Sequence, residues 1–214
     1  MKRFTLATTL ILMLSGCQTA YYSAMEKVGI HKREILVDRV EATKESQQES
    51  QQEFQSALER LSTLINFDGG ELQSAYEQLN DDYESSLASA EEVSANINKV
   101  EDVAQALFNE WQDELAEYSS DKLKRESEKK LKQTQRQFDR LLRSMRNSES
   151  KMEPVLASLK DNVLYLKHNL NAQAIAAIRG EFKNLQSDIK SLIDDMNRSI
   201  ADSNKFIEQM NSNK

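Results

Sequence analysis

The residue types that most often bind metals or act as nucleophiles are scarce in this chain, which has two histidines and one cysteine. Helical iron and manganese sites pair each histidine with a glutamate three residues earlier. Val28 and Tyr165 occupy those positions before His31 and His168, so neither pair exists. No His-Glu-x-x-His, phosphate-binding glycine loop or GxSxG pattern occurs. Serine is common enough to leave a serine–histidine–carboxylate site open by composition alone, but no motif frames one. We therefore predict no enzyme activity, catalytic residue, metal or cofactor.

The single cysteine, Cys17, indicates a different chemistry, the attachment of lipid. A basic pair opens the chain, an apolar run follows over residues 4–14, and two small residues precede the cysteine. That is the order of a secretory signal, and the run is too short for a permanent membrane span. The stretch Leu14-Ser15-Gly16-Cys17 resembles the lipobox of bacterial lipoproteins. The alternative is an ordinary thiol behind a short membrane anchor or an unprocessed leader.

The resemblance implies that residues 1–16 are removed as a signal peptide and that Cys17 becomes the first residue, carrying fatty acyl chains such as palmitate. Several chains together anchor a protein stably. In such lipoproteins an aspartate after the cysteine tends to retain the protein at the inner membrane. Gln18 stands there instead. The resemblance thus implies the periplasmic face of an outer membrane, with an inner-membrane lipoprotein as the alternative.

The composition of residues 17–214 limits the remaining possibilities. These 198 residues hold 26 basic and 35 acidic side chains, a net formal charge of −9, which argues against a nucleic-acid binder. If Cys17 carries lipid, no thiol remains for a disulfide or a metal site. The whole chain has one proline and five glycines, and so few helix breakers predict long helices and almost no sheet.

Apolar residues recur at alternating spacings of three and four along four segments, which is the pattern of helices packed side by side. The predicted helices cover about residues 21–66, 71–118, 120–168 and 172–211 of one domain. Because short connections make neighbouring helices antiparallel, we predict an all-α, elongated antiparallel four-helix bundle of coiled-coil-like long helices. Two long hairpins lying end to end, or paired in a coiled-coil dimer, are the alternatives.

At two stretches the sequence allows more than one local structure. Residues 43–53 are polar where the apolar stripe of the first helix should continue, which predicts a loose helix that buries little, or disorder. Pro154 lies inside the third segment and either kinks one helix or separates two. In the second case Ser150 would cap the new helix, with Glu153 completing a capping box.

The antiparallel topology predicts that the connections near residues 67–70 and 168–171 meet at the end of the bundle farthest from Cys17. Binding residues are often found on loops held by a rigid scaffold. The candidate partner-binding residues at this tip are Phe67, Gly69, Gly70, Tyr165, His168, Asn169, Asn171 and Arg179. The structural alternative is that these residues only form turns and cap helices.

The lipobox, the long Glu/Gln/Ser-rich helices and the segment Asn-Leu-Asn-Ala-Gln-Ala-Ile at 169–175 together resemble an uncharacterised family of Gram-negative lipoproteins of unknown function. The leading hypothesis is a lipid-anchored periplasmic scaffold that presents its distal tip to a protein partner. One alternative is a binding module or chaperone that opens to accept a helical client or lipid. Another is an envelope-stress or membrane-perturbing helical protein. The oligomeric state stays open.

Overall fold

The computed structural model describes residues 31–66 and 72–212, and these fold almost entirely into helices. Four follow one another along the chain, α1 (Lys32–Ile65), α2 (Leu72–Glu114), α3 (Asp121–His168) and α4 (Ala172–Ser212). At ~1.5 Å per residue they are rods of about 50–70 Å. The prediction of an all-α protein built from long helices is confirmed.

The helices form one antiparallel bundle in which each packs against its neighbours in the chain and α4 also packs against α1. Two polar contacts show that α1 and α2 run in opposite directions. Lys32 Nζ at the start of α1 donates to Glu110 Oε1 near the end of α2, at 2.8 Å. Arg60 Nε, near the end of α1, lies 3.0 Å from Asp82 Oδ2 in the first half of α2. The elongated four-helix bundle is therefore confirmed.

The core is the continuous seam of the four apolar stripes. In α2, for example, fully buried side chains recur at Leu79, Val93, Ile97, Val100 and Ala104. Single helices of this length are marginal in water, so the bundle is stable because these stripes remove one another from solvent, at about 25 cal/mol per Å² of apolar surface.

The second helix ends earlier than predicted, and part of the first is not described. α1 begins at Lys32 after His31, whose backbone is extended (φ −85°, ψ 147°); the predicted helical residues 21–30 lie outside the described residues, so that part stays a prediction. The second helix was expected to reach residue 118 but ends at Glu114. The amides of Ala116 and Glu117 each bond the carbonyl three residues earlier, both at 3.0 Å, and these tighter bonds turn the chain toward α3.

Pro154 lies within one continuous helix, so the alternative of two separate helices is wrong. Its ring is on the exposed side of α3, where the carbonyl that loses its amide partner can be solvated. Ser150 Oγ does not cap a new helix but donates to the carbonyl of Asn147 at 2.9 Å. The apolar stripe therefore continues unbroken past the proline.

The polar middle of α1 is ordered helix, so the expectation that it buries little is wrong. Thr43, Gln47 and Ser50 are fully buried. Serine and threonine hydroxyls can bond carbonyls of their own helix and then pack as small side chains; Thr43 Oγ1 donates to Arg39 O at 2.8 Å. Gln47 Nε2 instead crosses the bundle to Ser148 Oγ on α3, at 2.9 Å. The centre of the bundle thus contains a layer of buried polar side chains.

An ionised group lies close to this layer. Asp195 on α4 is only 1% exposed, and its carboxylate forms ion pairs with Lys151 of α3 and Arg198 of its own helix. Lys151 Nζ also donates to Ser191 Oγ at 2.8 Å. A carboxylate removed from water in this way is tolerated because both cations compensate it.

Candidate functional site at the two ends of the bundle

The two ends of the bundle differ in their relation to Cys17. The chain enters α1 at Lys32, so this end, where the α2–α3 turn also lies, is called the anchor end. The opposite end, where α3 is joined to α4 by residues 169–171, is called the far end. Arg179 near the start of α4 donates from Nε to the carbonyl of Ile65 at the end of α1, at 3.0 Å, which shows that these elements meet at the far end.

Large hydrophobic side chains are exposed only at these ends within the described ranges. Leu164 (44%), Tyr165 (42%) and Leu170 (39%) are exposed within seven residues of one another at the far end and are together called the far-end patch, and Leu123 (53%) and Tyr118 (40%) lie at the anchor end. An exposed apolar cluster with polar surroundings is typical of an interaction surface. The shaft between the ends is covered by polar side chains.

The structure places the described members of the predicted tip together at the far end but gives them different roles. Asn171 Oδ1 accepts a bond from Ala174 N at 3.0 Å and thereby caps α4. Asn169 Nδ2 donates to the carbonyl of Tyr165 at 3.0 Å and satisfies the end of α3. Arg179 likewise satisfies a backbone carbonyl at the end of α1, that of Ile65. These contacts support the structural alternative for Asn169, Asn171 and Arg179.

Tyr165 and His168 are the described tip residues whose side chains are exposed without such a capping role. Phe67, Gly69 and Gly70 lie outside the described residues. The described tip residues that remain candidates for binding are therefore Tyr165 and His168, and Leu164 and Leu170 are exposed in the same stretch of the chain. Sequence reasoning missed these two leucines because Leu170 follows the helical spacing of buried residues and Leu164 was not distinguished from its buried neighbours.

A groove between α3 and α4 adjoins this patch and was also missed. It has a volume of about 390 Å³ and is lined by Tyr165, by the apolar side chains of Ala177, Ile178 and Leu185, and by polar side chains of both helices. Asp161, Glu181 and Asp188 supply carboxylates, and Asn184 Nδ2 donates to Glu181 Oε2 at 3.5 Å. Residues 158–165 of α3 and 177–188 of α4 line the groove, and this pairing follows from the register of the two helices, which no local sequence pattern marks.

A second cleft lies at the anchor end, between α2 and α3. Its volume is about 500 Å³, and its apolar lining includes Leu107, Trp111, Tyr118 and Leu123. Trp111, the only tryptophan, packs against the core and donates from Nε1 to Ser127 Oγ at 2.8 Å. This cleft joins the exposed turn of the anchor end to the buried core.

The first turns of α3 form a basic strip beside this cleft. Residues 121–132 contain six basic and three acidic side chains in a chain whose net charge is negative. One of these acids, Glu128, is paired within the strip. The hydrogen bond and the charge of Lys132, 2.5 Å away, lower the pKa of Glu128, so its carboxylate stays ionised and its charge is compensated by Lys132. Lys122, Lys124, Arg125 and Lys129 are exposed. None of these four side chains forms an ion pair with another of the described residues.

The described ranges hold no group of three histidine, cysteine, aspartate or glutamate side chains arranged to bind a metal ion. None of the four helices has the length and hydropathy needed to cross a membrane. Both ends of the described bundle expose apolar side chains. The far-end groove adds carboxylates, and the basic strip of the anchor end adds ammonium and guanidinium groups.

Comparison with known proteins agrees with these features. Residues 1–18 match the prokaryotic membrane lipoprotein lipid attachment site, which indicates that Cys17 carries a lipid anchor to a membrane. Residues 21–210 match the family described as "Protein of unknown function (DUF2959)". No curated protein and no solved structure matches the chain. The family match spans all four helices, and this lipid-anchored helical bundle therefore belongs to the DUF2959 family.

Proposed function

We propose that the protein is a non-enzymatic scaffold that stands on the periplasmic face of the outer membrane and holds a protein partner at its far end. The observation that carries this proposal is the separation of the two exposed apolar surfaces by a polar shaft. α3 alone has 48 residues and links these surfaces over ~70 Å. A lipid anchor at one end and a binding patch at the other are the minimal parts of a spacer.

The chemistry of the far end suggests the class of partner. Tyr165, Leu164 and Leu170 offer apolar area, and aromatic anchors of this kind are enriched at protein interfaces. The adjoining groove offers the carboxylates of Asp161 and Asp188, which form no ion pair in the described geometry. A protein segment with an apolar side chain next to lysine or arginine would match both features.

Photo-crosslinking in cells tests the partner proposal. The full-length lipidated protein would carry a photoreactive residue at position 165, with position 99 on the exposed shaft as a control. We expect one dominant envelope protein crosslinked from 165 and not from 99, and we expect its yield to fall at least tenfold when Asp161→Asn and Leu164→Gln are introduced.

A matched control separates binding from folding. Asn171→Ala removes the cap of α4 and should cost about 1 kcal/mol of stability, yet it leaves the patch and the groove intact, so the crosslink should persist. Equal crosslinking from 165 and 99, or loss of the crosslink only in the Asn171→Ala variant, would contradict a binding surface at the far end.

The outer-membrane location has its own test. By the sorting preference of lipoproteins that resemble this one, Gln18→Asp should move the protein to the inner membrane, whereas Gln18→Asn should leave its distribution unchanged. Separation of the two membranes by density and immunodetection would measure this. Identical inner-membrane distributions for the native chain and both variants would overturn the proposed location.

The buried polar layer favours a second candidate, a bundle that opens at α1 to accept a client. Gln47 Oε1 and Ser199 Oγ are buried without a hydrogen-bond partner in the described structure, which weakens packing at mid-height. If the bundle opens, amides of residues 43–53 should exchange at least tenfold faster than those of 54–64. Exchange at one common rate in both segments would favour the rigid scaffold.

A further inference from the structure

We propose that the α2–α3 turn is a second membrane contact, which docks the anchor end of the bundle onto anionic lipid headgroups of the leaflet that holds the acyl chains. The partner is thus a lipid surface rather than a protein. The proposal goes beyond the scaffold function and does not depend on what the far end binds.

The first observation is the place of the α2–α3 turn at the anchor end. Lys32, the first residue of α1, is bonded to Glu110, and the backbone carbonyl of Met210 near the end of α4 accepts a bond from Arg33. The end of α2 and the turn that follows it therefore belong to the end of the bundle at which the chain enters from Cys17.

The second observation is the chemistry of this turn. Tyr118 and Leu123 are two of the five exposed large hydrophobic side chains in the described residues, and Leu123 is the most exposed of them. Aromatic side chains with a polar tip are enriched at the level of lipid headgroups. A leucine at 53% exposure next to a tyrosine suits the same boundary, where the hydrocarbon begins.

The third observation is charge. Lys122 and Lys124 flank Leu123, Arg125 follows, and all three side chains are exposed. Lysine and arginine near an anionic leaflet are attracted by about 1 kcal/mol each. The end of α2 and the connection after it have the opposite sign, at Glu114 and Glu117. We therefore expect the α3 side of the turn to face the lipid phosphates.

The anchor brings this surface to the membrane. His31 follows Cys17 by fourteen positions, so the lipid-bearing residue lies at most about 50 Å along the chain from the start of α1. At this short range a weak contact is formed repeatedly, because the anchor raises the local concentration of lipid around the turn. Docking at a second point would limit the tilt of the rod and direct its far end away from the membrane.

A fluorescent label on the turn tests the proposal in the full-length lipidated protein. Cys17 is the only cysteine and is blocked by acylation, so a cysteine introduced by Leu123→Cys can be labelled alone with an environment-sensitive dye. Leu164→Cys is the matched control, because Leu164 is also an exposed leucine of α3 (44%) but lies at the far end. Both proteins would be reconstituted into phosphatidylcholine vesicles with or without phosphatidylglycerol, using brominated acyl chains as quenchers.

We expect the label at 123 to be quenched several-fold more than the label at 164, and more strongly when phosphatidylglycerol is present. Combining Lys122→Gln, Lys124→Gln and Arg125→Gln should shift the equilibrium between docked and free turn by about a hundredfold, on the basis of about 1 kcal/mol per charge. Lys160→Gln, Lys167→Gln and Lys183→Gln remove three exposed charges at the far end and should have no effect. Thermal melts would show that both triple variants remain folded.

Three results would overturn the proposal. Equal quenching at 123 and 164 would mean that the turn does not reach lipid. Quenching at 123 that is independent of phosphatidylglycerol would exclude recognition of anionic headgroups. A label at 123 that is shielded from a water-soluble quencher but not quenched by brominated lipid would show that protein covers the turn.

Discussion

Replacing Lys151 and Arg198 together with alanine is expected to lower the free energy of unfolding by about 3 kcal/mol, because it leaves the carboxylate of Asp195 buried without a cation. Asp195 is 1% exposed, whereas the side chains of Lys151 and Arg198 are 37% and 68% exposed. The loss therefore comes from the uncompensated carboxylate and not from removing the two cations, which are already partly solvated in the native protein.

Single substitutions and a compensating one complete this test. Lys151→Ala or Arg198→Ala alone should cost only about 1 kcal/mol, since one cation remains. Adding Asp195→Leu to the double variant should restore most of the stability, because an apolar side chain at this position has no charge to compensate. Urea unfolding of these four variants and the native protein, followed by far-ultraviolet circular dichroism, would measure these differences.

A double variant as stable as the native protein would contradict this account of Asp195. It would mean that the carboxylate reaches water in solution, and the centre of the bundle would then be open rather than packed. The same result would support the client-binding candidate over the rigid scaffold. The experiment therefore distinguishes the two functional proposals as well as testing the ion pairs.

Replacing Phe138 with alanine is expected to lower the free energy of unfolding by about 4 kcal/mol. Phe138 on α3 lies edge-on between Phe108 of α2, at 5.6 Å between ring centroids, and Phe206 of α4, at 6.1 Å. It is 6% exposed. The substitution removes both aromatic pairs and leaves a cavity where three helices are braced together.

Phe138→Leu is the matched control for this cavity. It keeps most of the buried volume and loses only the edge-to-face geometry, so it should cost about 1–2 kcal/mol. For a protein of this size the alanine variant should melt roughly 10 °C below the native protein. Calorimetric melts would measure these differences. A decrease of only a few degrees for Phe138→Ala would show that the anchor-end half of the bundle can collapse around the missing ring.

Much of this molecule is determined by sequence patterns that act locally. The signal-like segment before Cys17 predicts the anchor because lipid attachment depends on a contiguous stretch of residues, and the lipid-attachment match over residues 1–18 agrees with it. The spacing of apolar residues predicts the helices because helical periodicity is a property of the chain itself. With few residues in each connection, the antiparallel order followed as well.

Only the tertiary structure decided which polar residues are buried and which cap residues are engaged. Gln47 appears solvent-exposed by type, but its partner Ser148 lies 101 positions away, and no local pattern predicts such a pair. Asp195 likewise depends on a cation from another helix, and the far-end groove depends on the register of α3 against α4. These features arise where helices meet, and the relative rotation and register of packed helices are set by the fit of all their side chains at once.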